Sequence, residues 1–519
     1  MEILWRSKEN EMSRQSPADV ESSAGLSSQE FPQLIRRLLE ARGFTNPELT
    51  QNFLFPKLSS LKDPTSILNM EKACERLLKA FESREKICVY ADFDLDGTSG
   101  LALLDEGFRQ LGFTDVVLAQ PKRLSDGYGF HSHIVEDLKT QGVSLIVTVD
   151  VGITAFKACE TATALGIDVI ITDHHQMAAE LPKAFCVVNP NQVGDTSGLG
   201  YLSGAGVGFY LLRGLKRRMF QAKLISETTL DLKSVLDCFC IATLTDMVPL
   251  VGDNRVLVKQ GMAELEKTKR PGLRALMNSL DLSGRTLSSQ DIAIRFAPKL
   301  NALSRMENGV MPIDLYVERD PVKAENMVKT VLKNNATRVE MQGAGESEAF
   351  EFLKTWTQEK FVFMASPNFH KGVIGLIATK VCLQMNVPTF IGTINDEGVI
   401  TGSARLPHGA NASLLKAFAA GAELLVRFGG HDAAAGFELK SENHMAFVDA
   451  LEKHYASQAE NQEKMLEYDL ECSLNDLNEN VILETFNTKN SDNNLKYNIT
   501  EDIKHKQDGR RFVVFVSTK

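Results

Sequence analysis

The chain has 519 residues, 43% hydrophobic and 24% charged, a composition that fills the cores of about two to four domains and excludes a mainly disordered protein. Its 57 Lys and Arg against 67 Asp and Glu give a formal charge of −10, which argues against nonspecific coating of nucleic acid. No apolar run reaches the roughly 18 residues of a membrane span, and the first residues, MEILWRSKENEMSRQSPADVESS, lack an apolar leader core, so the expected location is the cytoplasm.

The chain begins with a lead-in, 1–83, polar to about residue 30 and then helical in its apolar spacing (FPQLIRRLLEARGF, EKACERLLKAFES). Over 84–316, short apolar runs (ICVYAD, DVVLAQP, SLIVTVD, DVIITD, CVVNP) alternate with amphipathic helices, which predicts an α/β domain with a mainly parallel sheet. A long connecting helix is expected over 317–358, softened near Gly343 to Gly345, followed by a smaller α/β domain over 359–456. The last segment, 457–519, turns Asn/Asp/Lys-rich and ends in a strand-like RRFVVFVSTK, a short partial β unit. The eight cysteines include no C-x-x-C pair; a zinc ribbon or disulfide framework is not expected, and Cys238 and Cys240 read as buried small apolar residues.

Three predicted strands end in metal-ligating side chains. KICVYADFDLDG carries Asp92, Asp94 and Asp96, SLIVTVDVGIT carries Asp150, and DVIITDHHQ carries Asp173, His174 and His175. In an open parallel sheet the carboxyl ends of the strands form the ligand crevice, so these positions should converge. Packed carboxylates repel, and a divalent cation removes the conflict; a mixed carboxylate and imidazole set suits Mn²⁺, Fe²⁺ or Mg²⁺. A lone Asp after a strand is more often a helix N-cap, with Gly97 permitting a tight turn into the helix; three coincidences on one sheet favour a site.

DFDLDG, DVGIT and DHH, in this order, resemble the DHH phosphoesterase superfamily. PKRLSDGYGF, VVNPNQ, LSGAGVGFYLL, ATLTDMVPL, RFAPKLNALSRM, GVIGLIATKV, GSAR and FGGHDAAAGF resemble blocks of RecJ-type single-strand-specific exonucleases over about residues 85 to 440. The resemblance implies a DHH domain and a DHHA1 domain holding single-stranded DNA by its 5′ end, and hydrolysis to 5′-mononucleotides, in DNA repair and recombination, with two Mn²⁺ or Mg²⁺ ions about 3.5–4 Å apart. It assigns metal ligation to Asp94, Asp96, Asp150, His174 and Asp246; Tyr90 stands where many relatives have His, so the first metal takes Asp92 as a further ligand or an extra water. Asp173 is expected to orient a histidine, and His175 to act as general acid or transition-state stabiliser beside Asp150.

The resemblance places a 5′-phosphate pocket at Ser403, Arg405, Gly430 and His431 with Arg123. Arg295 and Arg305 form a second basic pair, for which structural ion pairing is an equal alternative at Arg295; Tyr128 and His370 are weaker candidates. After Thr485 about 35 residues remain, too few for a five-stranded OB barrel, which implies a reduced or truncated OB-like segment. A monomer is the default, and whether a helicase and a single-strand-binding protein supply the substrate stays open. The competing readings are a DHH phosphodiesterase acting on short oligonucleotides or cyclic dinucleotides, and an inactive DHH scaffold of a replication assembly. The net charge then reads as metal-ligand carboxylates offset by a confined basic path for one strand.

Overall fold

The computed structural model describes residues 33–306, 310–407, 409–410 and 412–456, together with short strands at Leu4–Ser7, Met465–Tyr468, Leu470–Ser473 and Arg511–Val514. The chain forms two compact units, divided near residue 330, with the short stretch from Arg305 belonging to the second.

In the first unit the helices α1 (Gln33–Ala41), α2 (Pro47–Leu54) and α3 (Met70–Glu82) precede a sheet of five strands. These are β1 (Ile87–Ala91), β2 (Val116–Ala119), β3 (Leu145–Val149), β4 (Asp168–Thr172) and β5 (Cys186–Val188), all parallel and ordered β2-β1-β3-β4-β5. β1 and β3 are buried along their whole length. Helices cover both faces of such a sheet, which is why the strands read as unbroken apolar runs. The chain passes from β2 across β1 to β3, a reversal of strand order that opens a crevice at the carboxyl ends of β1 and β3.

Helix α4 (Leu95–Leu111) starts on Asp94, whose side chain accepts the N–H of Gly97, and stops at Gly112, whose φ of 93° suits a left-handed cap. Further on, α5 (Gly204–Gln221) and α6 (Leu236–Thr245) pack against α4. α7 (Ala297–Met306) is entered through a π-wound turn, Asp291–Phe296, and holds Pro298 in its first turn, where a missing N–H is tolerated. α8 (Pro321–Leu353) runs unbroken through Gly343 and Gly345, so the expected softening there is absent.

The second unit is built on a mixed sheet of β6 (Val362–Ser366), β7 (Thr389–Ile394), β8 (Val399–Arg405), β9 (Leu425–Gly430) and β10 (Ala434–Lys440), ordered β9-β10-β8-β7-β6. Phe363, Phe390, Phe418, Phe437 and Phe447 share one core cluster, and Val373, Ile377 and Val381, at and within helix α9 (Ile374–Met385), belong to another. The seven described cysteines are buried and unpaired. At the C-terminus Arg511–Val514 pairs antiparallel with Leu470–Ser473. Apart from these strands and Met465–Tyr468, residues 457–519, and with them the OB-like reading, lie outside the described residues, as does most of the polar start of the chain.

Candidate metal centre

Strand register brings the first three groups together. Ala91 pairs with Val149 and Val149 with Thr172, so three adjacent strands end in step and Asp92, Asp150 and Asp173 follow in a row. Asp150 holds a left-handed φ of 61°, which non-glycine residues adopt at a cost and which Asp tolerates better than most. Its N–H donates to the Thr172 carbonyl at 3.0 Å, fixing the turn.

Around Nε2 of His174 stand Oδ1 of Asp150 at 3.2 Å, Oδ2 of Asp246 at 3.6 Å and Oδ2 of Asp96 at 3.8 Å. Asp246 comes from the C-terminal end of α6, far along the chain from the other three. Nε2 of His174, Oδ1 of Asp150 and Oδ2 of Asp246 are buried and have no hydrogen-bond partner among the described residues. Buried polar atoms are normally paired, so three orphaned donors facing one another mark a place built for a cation. Asp96, His174 and Asp246 form one group with metal-ligand spacing, and Asp150, His174 and His175 a second. All donors are oxygen or imidazole nitrogen, a set that fits a hard divalent ion. Burial, and then the neighbouring Asp96 and Asp94 charges, raise the carboxyl of Asp246 to about 9 and push Asp150 well above the usual carboxylate range.

The first acidic segment divides its work. Asp94 caps α4 and lies near enough for its charge to raise Asp96, Asp150 and Asp246. Asp96, 1% exposed, accepts the backbone N–H groups of Gly204 (2.6 Å) and Ala205 (2.9 Å) at the start of α5, which anchors that helix end beside the cluster. Asp92 joins neither group: its carboxylate accepts from Phe93 N–H at 2.6 Å and Gly129 N–H at 3.0 Å, and burial with the Asp94 charge raises it to about 8. Tyr90 is fully buried and donates its hydroxyl to the Gly129 carbonyl at 2.7 Å. Tyr90 and Asp92 therefore hold the two sides of one residue in the DGYGF loop. Gly97 lies inside α4 and is needed for close packing, because a Cβ there would stand 2.5 Å from the Asp92 carbonyl oxygen; a tight turn is not the reason.

Asp173 is buried and accepts four bonds, from Ile153 N–H, His174 N–H, His175 N–H and, at 2.7 Å, His175 Nδ1. Burial alone would lower the pKa of His175, but this carboxylate raises it to about 9, which favours the protonated ring. The His175 side chain is 37% exposed against 11% for His174, so His175 is the ring open to an incoming molecule. The sequence reading missed two neighbours. Asn191 Nδ2 donates to the His174 carbonyl at 2.6 Å and Asn189 Nδ2 to the His175 carbonyl at 2.9 Å. VVNPNQ was visible as a motif, but nothing in it announced that role.

Of the expected substrate residues, Arg123 lies over the rings of Phe93 (4.9 Å) and Tyr128 (5.8 Å), and Tyr128 is 60% exposed. Arg295 is engaged by Asp291 at 3.3 Å and the Leu280 carbonyl at 2.6 Å, the structural ion pairing that is the alternative role at this position. In the second unit Arg405 Nη1 donates to Ser403 Oγ at 2.7 Å. Gly430 pairs with Ala435, which pairs with Ala404, and Ala434 pairs with Arg405, so Gly430 and the adjoining His431 lie at the same sheet end as Ser403 and Arg405. Arg305 Nη1 donates to the carbonyl of Gly372, at 3.0 Å, and His370 Nδ1 accepts from the N–H of the same residue at 3.1 Å.

The family model of the DHH family, N-terminal domain, matches residues 86–243, and that of the DHHA1 domain residues 358–457. The single-stranded-DNA-specific exonuclease RecJ of Escherichia coli is 30% identical over 440 residues, 83% of this chain and 75% of the relative. RecJ of Bacillus subtilis is 32% identical over 415 residues, and the chain spans about half of its length. The crystal structure of RecJ from Thermus thermophilus in complex with Mn²⁺ superposes with a TM-score of 0.74 at 26% identity, over 90% of this chain and 64% of that one. Another exonuclease RecJ structure, bound to manganese, gives 0.65 at 30% identity over 76% and 96%. With its DHH and DHHA1 domains, its parallel sheet ending in three segments rich in carboxylate and imidazole groups, and relatives matched over most of their length, the chain belongs to the RecJ family of single-stranded-DNA-specific exonucleases.

Proposed function

We propose that the chain is a metal-dependent exonuclease that degrades single-stranded DNA from its 5′ end to 5′-mononucleotides. The observation that carries the reading is the convergence of the unpartnered Asp150 Oδ1, His174 Nε2 and Asp246 Oδ2 beside Asp96. Asp96, Asp150, His174 and Asp246 are the proposed ligands, with Asp94, whose charge reaches the cluster, as a further candidate. Held by these residues, two Mn²⁺ or Mg²⁺ ions would supply an activated water and charge neutralisation for a phosphate under in-line attack.

The chain's own groups do the rest. Asp173 holds Nδ1 of His175, and the opposite ring nitrogen presents a proton to the 3′ oxygen that leaves as the P–O bond breaks. The departing nucleotide keeps its 5′-phosphate and gains a 3′-hydroxyl, while the remaining strand acquires a new 5′-phosphate. Each product strand therefore carries the group that Ser403, Arg405, Gly430 and His431 suit, a hydroxyl, a guanidinium fork and backbone amides at one sheet end. Arg123, Arg305 and the exposed Tyr128 are further substrate contacts in this reading; Arg295 is left to structure.

The test is digestion, with Mn²⁺, of end-labelled single- and double-stranded oligonucleotides bearing 5′-phosphate or 5′-hydroxyl. Stepwise mononucleotide release from single strands with a 5′-phosphate is expected. Release from the 3′ end, or hydrolysis of dinucleotides alone, overturns the assignment.

A further inference from the structure

We infer that Asn191, backed by Asn189, is a positioning residue that sets the two histidines of the metal centre, an inference that rests on the ligand assignment above. The chain leaves β4 at Thr172, so His174 and His175 lie in a segment with no strand ladder to hold their carbonyls. Their main chain is instead clasped by side-chain amides: Asn191 Nδ2 on the His174 carbonyl at 2.6 Å, Asn189 Nδ2 on the His175 carbonyl at 2.9 Å. The asparagines are themselves joined, since Asn191 N–H donates to Asn189 Oδ1 at 2.8 Å, and Asn191 Nδ2 also reaches the Gly200 carbonyl at 3.2 Å.

Register explains why the clasp sits there. Thr172 pairs with Val188, so Asn189 leaves the sheet alongside Asp173, fully buried. Only a donor serves at either position, because an aspartate would set a carboxylate oxygen against a carbonyl oxygen. The His174 ring must reach Asp150 and Asp246 at 3.2 and 3.6 Å, and a shift of its backbone moves Nε2 directly. Groups that orient ligands in this way typically control metal affinity by roughly 10–100-fold.

A second residue makes the clasp testable without deleting it. A Cβ on Gly200 would stand 2.3 Å from Asn191 Oδ1 and meets no backbone closer than 3.7 Å. Gly200 has no left-handed φ, so alanine is accepted by the backbone and the strain falls on the end of the Asn191 side chain.

The experiment is titration of the metal-free protein with Mn²⁺, followed by the paramagnetic resonance of the free ion, for wild type, His174→Ala, Asn191→Ala and Gly200→Ala. Thermal unfolding in chelator and the histidine ring proton resonances are recorded for each. His174→Ala is expected to lose binding; Asn191→Ala and Gly200→Ala should weaken it about tenfold. Both should shift the ring resonances of His174 and His175 before any metal is added, while the unfolding temperature in chelator separates this from a general loss of stability. Wild-type affinity in both variants, with His174→Ala impaired, overturns the inference and leaves the ligand assignment standing. Wild-type affinity in His174→Ala overturns the assignment itself. If Asn191→Ala does not fold, Gly200→Ala, which keeps the asparagine, decides alone.

Discussion

Nε2 of His174 lies 3.2 Å from Oδ1 of Asp150, both atoms buried and neither in a hydrogen bond. Burial and mutual repulsion raise the acidic partners, Asp246 to about 9 and Asp150 in the same direction, so near neutrality the metal-free cluster holds protons that a cation must displace. Mn²⁺ binding should therefore release protons and tighten as pH rises from about 6 to about 9. Calorimetry in buffers of different ionisation heat measures the release; a heat independent of buffer contradicts it. Asp150→Asn should weaken binding by more than ~100-fold, beyond the range for groups that only orient ligands.

Tyr90 stands where many DHH relatives place a histidine, yet its hydroxyl is bound to the Gly129 carbonyl. Tyr90→Phe should leave Mn²⁺ affinity unchanged and cost about 1–2 kcal/mol of stability, because a buried carbonyl loses its donor. Denaturant unfolding and metal titration are measured together. Weakened metal binding at unchanged stability would show that the tyrosine serves the ion.

Glu106 on α4 accepts hydrogen bonds from Arg109, Gln110 and Arg319. Burial pushes its carboxyl up, but these partners prevail and hold it at about 2. A carboxyl lowered by folding adds stability above its ordinary pKa of 4.5 and loses it as pH falls towards 2. Glu106→Gln should cost roughly 1–3 kcal/mol at pH 7 and flatten the acid limb of a stability profile. An acid limb identical to wild type would exclude this carboxyl as its source.

Arg405 is aligned by Ser403 Oγ and the Ala404 carbonyl. Arg405→Lys keeps the charge and loses the planar fork, so the preference for 5′-phosphate over 5′-hydroxyl ends should fall by roughly 10–100-fold in kcat/KM. Competition between the two ends gives the ratio directly. A uniform fall on both substrates would place Arg405 outside phosphate recognition.

Much of this molecule was legible from periodicity alone. The apolar runs ending in Asp92, Asp150 and Asp173 are the central strands, because a parallel strand covered on both faces has to be apolar throughout, and strand ends carry the polar groups. The acidic and imidazole groups beyond those strands already suggested a metal site, although Asp92 and Asp173 themselves hold Gly129 and His175. The family blocks added Asp246, which no local pattern ties to the other candidate ligands.

Tertiary contacts decided how similar residues divide their tasks. Asp92, Asp94 and Asp96 look alike in DFDLDG; one holds a loop glycine, one caps a helix and one anchors the start of α5 beside His174. Arg295 and Arg405 are both arginines in family blocks, but the first meets Asp291 on its own helix turn, while the second aligns on a serine at a sheet end. Asn189 and Asn191 gained their role only when β4 and β5 were in register. Sequence sets which chemistry each side chain can perform; the partner that uses it is chosen by register and burial, which depend on residues far along the chain.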